Sequence, residues 1–231
     1  DFCYQQLGGN LVTVGSAFDY SNLGCSHHCY GDFALLKTLA RTEIVYPASP
    51  LEFDILFREA YRSDRMTLFR IPGHQHEQDF PSRDIRLGKA IKVTDGGDLT
   101  LVATGPQLAN ALAARESLGN LGWDIEILYL HTIRPLDVEA IRTSVMKTHR
   151  VLVVEEHMRS GGLGDDVLRL SRNIANLQYS SLSIPDAFVT GYGSYEDHLE
   201  KLGLTPEGIV HRVATDFRKK GKVALPSGEP A

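Results

Sequence analysis

The chain has 231 residues, 24 Lys and Arg against 29 Asp and Glu for a formal net charge of −5, and 42% hydrophobic content. That is enough chain for one or two domains with real cores, and the acidic balance argues against nucleic acid as a partner. Three cysteines, no apolar run of bilayer length and no basic-then-apolar leader argue against a disulfide scaffold, a membrane span or export, so a cytoplasmic protein with reduced thiols is expected.

The opening DFCYQQLGGN carries no period, and the first predicted element is a buried strand over 10–14. Next comes LGCSHHCYGDFALLK, residues 23–37. It sets two adjacent histidines, two cysteines and a tyrosine in a Gly-bounded loop that runs into an amphipathic segment, with Phe33, Leu36 and Ala40 at helical spacing. A strand is predicted at 43–46. Ser49-Pro50-Leu51-Glu52 then supplies an N-cap, a proline at the first helical position and a capping-box glutamate, which predicts a helix over 50–61. A strand at 65–71 completes a strand-and-helix alternation, implying a parallel sheet covered on both faces. The polar, aperiodic stretch 72–88 carries two prolines and reads as a linker, with a boundary near Asp84.

Beyond it, apolar runs at 89–93 and 98–104 flank Asp95-Gly96-Gly97, which predicts a hairpin at a sheet edge. A helix at 107–118 is closed by Gly119 and Gly122. Strand 125–130, helix 137–148, strand 151–155, helix 164–175 and strand 181–184 continue the alternation. Thr205-Pro206-Glu207 opens a last helix that ends in basic Arg218, Lys219 and Lys220, and 221–231 reads as a flexible tail. The expected fold is therefore α/β, two consecutive units over 1–83 and 84–220 with a mostly parallel sheet.

Three chemistries fit the histidine loop. Adjacent histidines at a helix start, with Asp32 placed to favour the dipole, are a structural solution. Cys25, His28 and Cys29 with His74 and His76 are metal-ligand types, but the spacing departs from paired CxxC clusters and no metal ligand is assigned to the chain. The third is a catalytic histidine in a cofactor cleft. Ser160-Gly161-Gly162-Leu163-Gly164 lacks the lysine of a phosphate loop and the spacing of a dinucleotide loop, so it reads as a tight strand-to-helix turn. Glu155, Glu156 and His157, at a predicted strand end, read as solvated or interfacial.

Taken in order along nearly the whole chain, these segments resemble the transketolase family. Gly24-Cys25-Ser26-His27-His28, Asp32, Lys37, then Tyr46-Pro47-Ala48 and Glu52 are similar to the G-x-T-H-Q, helix, strand, P-A-D-x-x-E run of that family's pyrimidine-binding domain. Leu68-Phe69-Arg70 is similar to its strand ending in an arginine at the substrate channel. DLTLVATG, HTIRPLD, VVEEHMRSGGLG, Ile184-Pro185-Asp186 and LEKLGLTPEGIV are similar to its C-terminal domain.

The resemblance implies an enzyme that uses thiamine diphosphate and Mg²⁺ to move a two-carbon ketol unit from a ketose donor to an aldehyde acceptor. It implies that His27 is catalytic beside the cofactor, that Arg70 grips a substrate phosphate, and that Lys37 and His28 are further substrate contacts. Phe18 falls where relatives carry a histidine near the cofactor and the substrate phosphate, and Leu23 falls where they carry an acid, so a less polar acceptor is expected. The family's ylid-forming glutamate and its G-D-G diphosphate motif, which holds Mg²⁺, have no counterpart in the sequence. The resemblance thus implies a partner subunit carrying the diphosphate domain and the Mg²⁺ ligands, an upstream segment outside this sequence, or both. A heterotetramer with two copies of each chain is expected. Two alternatives stand beside it: the beta-type subunit of a 2-oxo-acid decarboxylating enzyme that passes an acyl unit to a carrier, and a non-catalytic interaction subunit.

Overall fold

The computed structural model describes residues 8–218, so Lys219, Lys220 and the expected tail lie outside the described residues. Two sheets organise the chain. The first sets β1 (Gly9–Val14), β3 (Met66–Ile71), β2 (Thr42–Val45) and β7 (Thr132–Arg134) side by side in that order, parallel except for β7. The second sets β4 (Ile91–Thr94), β6 (Ile125–Tyr129), β5 (Leu99–Ala103), β8 (Arg150–Met158) and β9 (Gln178–Ile184) side by side, parallel except for β4. This is the mostly parallel α/β architecture that the alternation of apolar runs predicts.

The pattern follows from covering both faces of the second sheet. Leu101, Ala103, Leu152 and Val154 point into one core, closed by Leu108 and Ala111 of α3 (Gln107–Asn120) and by Ile209 and Val213 of α7 (Pro206–Asp216). Their neighbours Val102, Val151 and Val153 point into the other, closed by Ile141 and Val145 of α4 (Val138–Thr148) and Val167 of α5 (Leu163–Ser171). Because side chains alternate along a strand, a strand buried on both sides is apolar throughout. The same two cores extend under the first sheet. Val45 and Phe69 meet Leu56 and Ala60 of α2 (Pro50–Ala60), while Ile44 and Leu68 share the second core with Phe33 of α1 (Asp32–Lys37).

Helix starts obey the predicted signals. Ser49 Oγ accepts from Glu52 N at 3.2 Å with Pro50 at the first helical position, and the Thr205 hydroxyl accepts from Gly208 N at 3.2 Å. Glu52, however, does not close a capping box. Its buried carboxylate accepts from Ala48 N at 2.8 Å and Tyr129 OH at 3.0 Å and lies 2.7 Å from His76 Nε2. Helix α6 (Tyr195–Leu202), which sequence reasoning left unassigned, starts with a reciprocal box between Ser194 and Asp197.

Several expectations are corrected. Asp95-Gly96-Gly97 turns no hairpin: β4 pairs with β6, and β5 lies on the far side of β6. The connection crosses the start of β6 so closely that a Cβ on Gly96 would lie 2.3 Å from the Ile125 carbonyl carbon. Helix α5 stops at Ser171, and α7 stops at Asp216, short of Arg218. The predicted buried strand β1 is an exposed edge, with Leu11 and Val12 43% and Val14 72% exposed. A β-branched run signals a strand without saying what covers it.

Candidate active site

Gly15 ends β1 at φ +89°, and a Cβ there would meet the Tyr20 ring at 2.3 Å. The chain therefore turns sharply at the carboxyl end of a parallel strand, the edge of an α/β sheet at which ligands bind. The loop that follows is pinned on several sides. Asp19 Oδ2 accepts from Ser16 N and, at 2.9 Å, from Gly73 N beyond β3. Cys29 N donates to Ala17 O at 3.1 Å, and Arg70 Nη2 donates to Cys29 O at 3.1 Å.

Between β1, this loop and α1 lies a cavity of about 390 Å³. Leu11, Val14, Leu35 and Leu36 give it apolar walls, and Ser16, His27, Cys29 and Asp32 bring polar groups. His27 is exposed. Its Nδ1 lies 3.1 Å from Ser26 Oγ, which leaves Nε2 without a partner among the described residues. Desolvation, then Asp32, push the Cys29 thiol up, so it is a neutral thiol at neutral pH rather than a thiolate nucleophile. Asp32 opens α1, where its charge suits the helix dipole, and its Oδ2 sits 3.1 Å from Arg70 Nε.

The other residues expected at the site are not on this wall. Arg70 is 0% exposed, with its guanidinium carbon 4.6 Å above the Phe33 ring and 4.7 Å above the Tyr46 ring. Burial works against its charge, but Asp32 first, then Tyr46 and Glu156, outweigh it and hold its pKa above the ordinary value. Its Nη donors go to main-chain carbonyls and its Nε faces Asp32, so no phosphate-gripping face is presented. Phe18 is also 0% exposed and lies under the loop, stacked on His198 with ring centroids 5.1 Å apart. His28 meets both rings edge-on, at 5.2 Å from Phe18 and 5.0 Å from His198. Desolvation lowers the pKa of His28 and His198, so this aromatic cluster is uncharged at neutral pH. The less polar acceptor expected from Phe18 and Leu23 therefore loses the support of Phe18, which is buried and does not line the His27 cavity. Lys37 lies at the opposite end of α1, bound to Gly161 O and Gly162 O at 2.9 Å each.

Beneath the cavity lies a network that sequence reasoning missed. Tyr46 OH is 2.9 Å from Ser16 Oγ and 3.3 Å from Glu156 Oε2, while Gln107 Nε2, at 2.9 Å, and the Tyr195 hydroxyl donate to Glu156 Oε1. Burial pushes Glu156 up, opposed by Tyr195 and Gln107. The expectation that Glu155, Glu156 and His157 are solvated or interfacial is corrected: all three are 0% exposed within the chain itself, because β8 runs on to Met158 instead of ending at 155. Charges directly after the apolar run VLVV were the available signal. Glu155 accepts from Leu163 N at 2.6 Å and Gly164 N at 2.8 Å, so an internal carboxylate already fills the start of α5, as a tight turn requires. Burial pushes this carboxyl to about 7. His157 Nδ1 lies 2.6 Å from Met158 O, which only accepts, so Nδ1 carries the proton and Nε2 accepts from Ala34 N at 3.3 Å. Burial holds His157 down at about 3, hence neutral.

Among the described residues no three His, Cys, Asp or Glu side chains are grouped to hold a metal ion, and no helix is long and apolar enough to cross a membrane. Residues 88–209 match the family defined as the transketolase C-terminal domain. The chain belongs to the transketolase family. It is 33% identical over 226 residues to one of the subunits of the apulose-4-phosphate transketolase of Phocaeicola vulgatus, covering 95% of this chain and 70% of that one. It is 30% identical over 207 residues to the 6-deoxy-6-sulfo-D-fructose transketolase subunit of a Clostridium species, covering 88% of this chain and 64% of that one. A solved split-gene transketolase, an inactive β4 tetramer, superposes with a TM-score of 0.80 at 24% identity, over 90% of this chain and 66% of that chain, and so shares the fold. This transketolase-family chain thus spans roughly two thirds of the length of each of these three proteins.

Proposed function

We propose that this chain is one subunit of a split, thiamine-diphosphate-dependent transketolase that moves a two-carbon ketol unit from a ketose to an aldehyde acceptor. The observation that carries the reading is His27, exposed on the wall of a cavity at the carboxyl end of β1 with Nε2 unpartnered among the described residues. The donor set fits one end of the cofactor. Leu35 and Leu36 offer flat apolar contact to an aromatic ring, while Ser16, Asp32 and His27 offer polar partners to its edge. When bound, the cofactor supplies the electron sink for carbanion chemistry. His27 Nε2 then gives or takes a proton at a substrate hydroxyl, while Ser26 fixes the ring through Nδ1.

In this reading residues 1–83 belong to a pyrimidine-binding domain and 84–220 to the C-terminal domain, in a cytoplasmic enzyme, and 221–231 lie outside the described residues. The diphosphate and Mg²⁺ are held by a partner subunit in a heterotetramer with two copies of each chain. The two relatives being named as subunits, and the apolar exposure of β1, support a partner. The test is reconstitution with the chain encoded beside it, with thiamine diphosphate and Mg²⁺ added and ketol transfer followed from a panel of ketose donors. Turnover that needs both chains and the cofactor is expected, and a cofactor-saturated complex inert to every donor would overturn the assignment.

A further inference from the structure

A second cavity, of about 410 Å³, opens at the other end of α1. Asp32 begins that helix on the wall of the first cavity, and Lys37 ends it on the wall of the second. Leu136, Val138 and Leu170 give the second cavity apolar surface, and Lys37, Arg134, Arg169 and Asp166 give it charge. Three cations against one carboxylate leave it net positive, in a chain whose net charge is −5. The carboxylate is already consumed: Asp166 lies 2.6 Å from Lys37 Nζ through Oδ2 and 2.6 Å from Arg169 Nη2 through Oδ1. Lys37 is consumed as well, by Asp166 and the carbonyls of Gly161 and Gly162. The arginines are not. Arg134 uses Nη1 alone, on Lys37 O at 2.8 Å and Leu39 O at 3.3 Å, and Arg169 uses Nη2 alone. Each guanidinium keeps Nε and its other Nη without a partner among the described residues, and paired planar donors of this kind match the oxygens of a phosphate. Arg134 also covers carbonyls at the end of α1 that would otherwise repel an anion.

We propose that this cavity binds a small organic phosphate, its oxyanion held by Arg134 and Arg169 and its body packed on Leu136 and Leu170. The site shares only α1 with the His27 cavity, so it stands or falls separately from the catalytic reading. The test is calorimetric titration of the full-length protein, in phosphate-free buffer, with phenyl phosphate, inorganic phosphate and benzyl alcohol. Phenyl phosphate is expected to saturate one site per chain, inorganic phosphate to bind at least tenfold more weakly, and benzyl alcohol to show no saturable binding. Arg169→Glu should weaken phenyl phosphate at least tenfold and Arg169→Gln should weaken it less, both with unchanged thermal midpoints, because this exposed side chain meets only Asp166. Three results would overturn the proposal: no saturation by phenyl phosphate, undiminished affinity in Arg169→Glu, which would put the ligand elsewhere, or equal affinity for inorganic phosphate, which would leave a bare anion site.

Discussion

Arg70 donates from both Nη1 and Nη2 to the main-chain carbonyl of Glu156, at 3.1 Å each. One side chain of β3 thereby joins the far end of β8, the Cys29 carbonyl and the Asp32 carboxylate, all behind the His27 cavity. Arg70 is a positioning residue, and its replacement should show as lost stability before lost substrate affinity. Arg70→Met leaves buried carbonyls and Asp32 without their partner, which should cost about 3–5 kcal/mol. Arg70→Lys should recover only part of that, since an ammonium cannot reproduce the planar fork. Urea denaturation of the three proteins decides it: a Met variant within about 1 kcal/mol of wild type would mean that the guanidinium is dispensable to the fold.

Glu155 gives the fold a pH dependence. Its carboxyl is raised by burial from 4.5 to about 7, so between those values the folded state binds a proton that the unfolded state has released. Stability from this group is full below pH 4.5, falls as pH rises, and is lost above 7, a span of roughly 3 kcal/mol. Glu155→Gln cannot titrate. The stability difference between wild type and variant, measured by denaturant titration from about pH 4.5 to 8, should therefore move against wild type as pH rises. A flat difference would mean that Glu155 is ionised throughout, held so by Leu163 N and Gly164 N.

Val14 and Leu35 are each 72% exposed, and both line the His27 cavity. A charge at such a position alters the fold by no more than about 0.5 kcal/mol. Buried under a partner, the same charge is costly. We expect Val14→Glu to keep the wild-type thermal midpoint as an isolated chain and to weaken association with the diphosphate-domain subunit at least about tenfold, or roughly 1.4 kcal/mol. Unchanged association in sedimentation velocity would place the partner's contact elsewhere.

What the sequence made legible was whatever local chemistry decides. Ser49-Pro50 announced α2, Thr205-Pro206 announced α7, and the largely apolar stretches LTLVA, IEILY and VLVV announced β5, β6 and β8. The failures share a cause, because each depended on residues far along the chain. Arg70 turns inward to meet Glu156, 86 residues downstream, and no local pattern says so. Gly96 turns no hairpin because β6 takes the place beside β4. Glu155 and Glu156 looked solvated by type, yet the donors that offset their burial come from Leu163, Gly164, Gln107 and Tyr195. The family motif pointed to the loop that carries His27, and the structure places that side chain on a cavity wall, whereas no motif pointed to the buried link from Ser16 through Tyr46 to Glu156.

His27 carries the sharpest kinetic prediction. Its ring is exposed and its one hydrogen-bond partner among the described residues is the neighbouring Ser26, so truncation removes no packing, and the thermal midpoint of His27→Ala should match wild type. If Nε2 moves a proton at the reacting hydroxyl, the reconstituted complex should lose about two to four orders of magnitude in turnover, the range expected when a general acid/base is removed. KM should change little, because the contact that matters is made in the transition state, so kcat and kcat/KM should fall together. Steady-state kinetics of both proteins with thiamine diphosphate and Mg²⁺ reads this directly. A rise in KM at unchanged kcat would make His27 a binding residue instead, and full activity in His27→Ala would remove it from the chemistry.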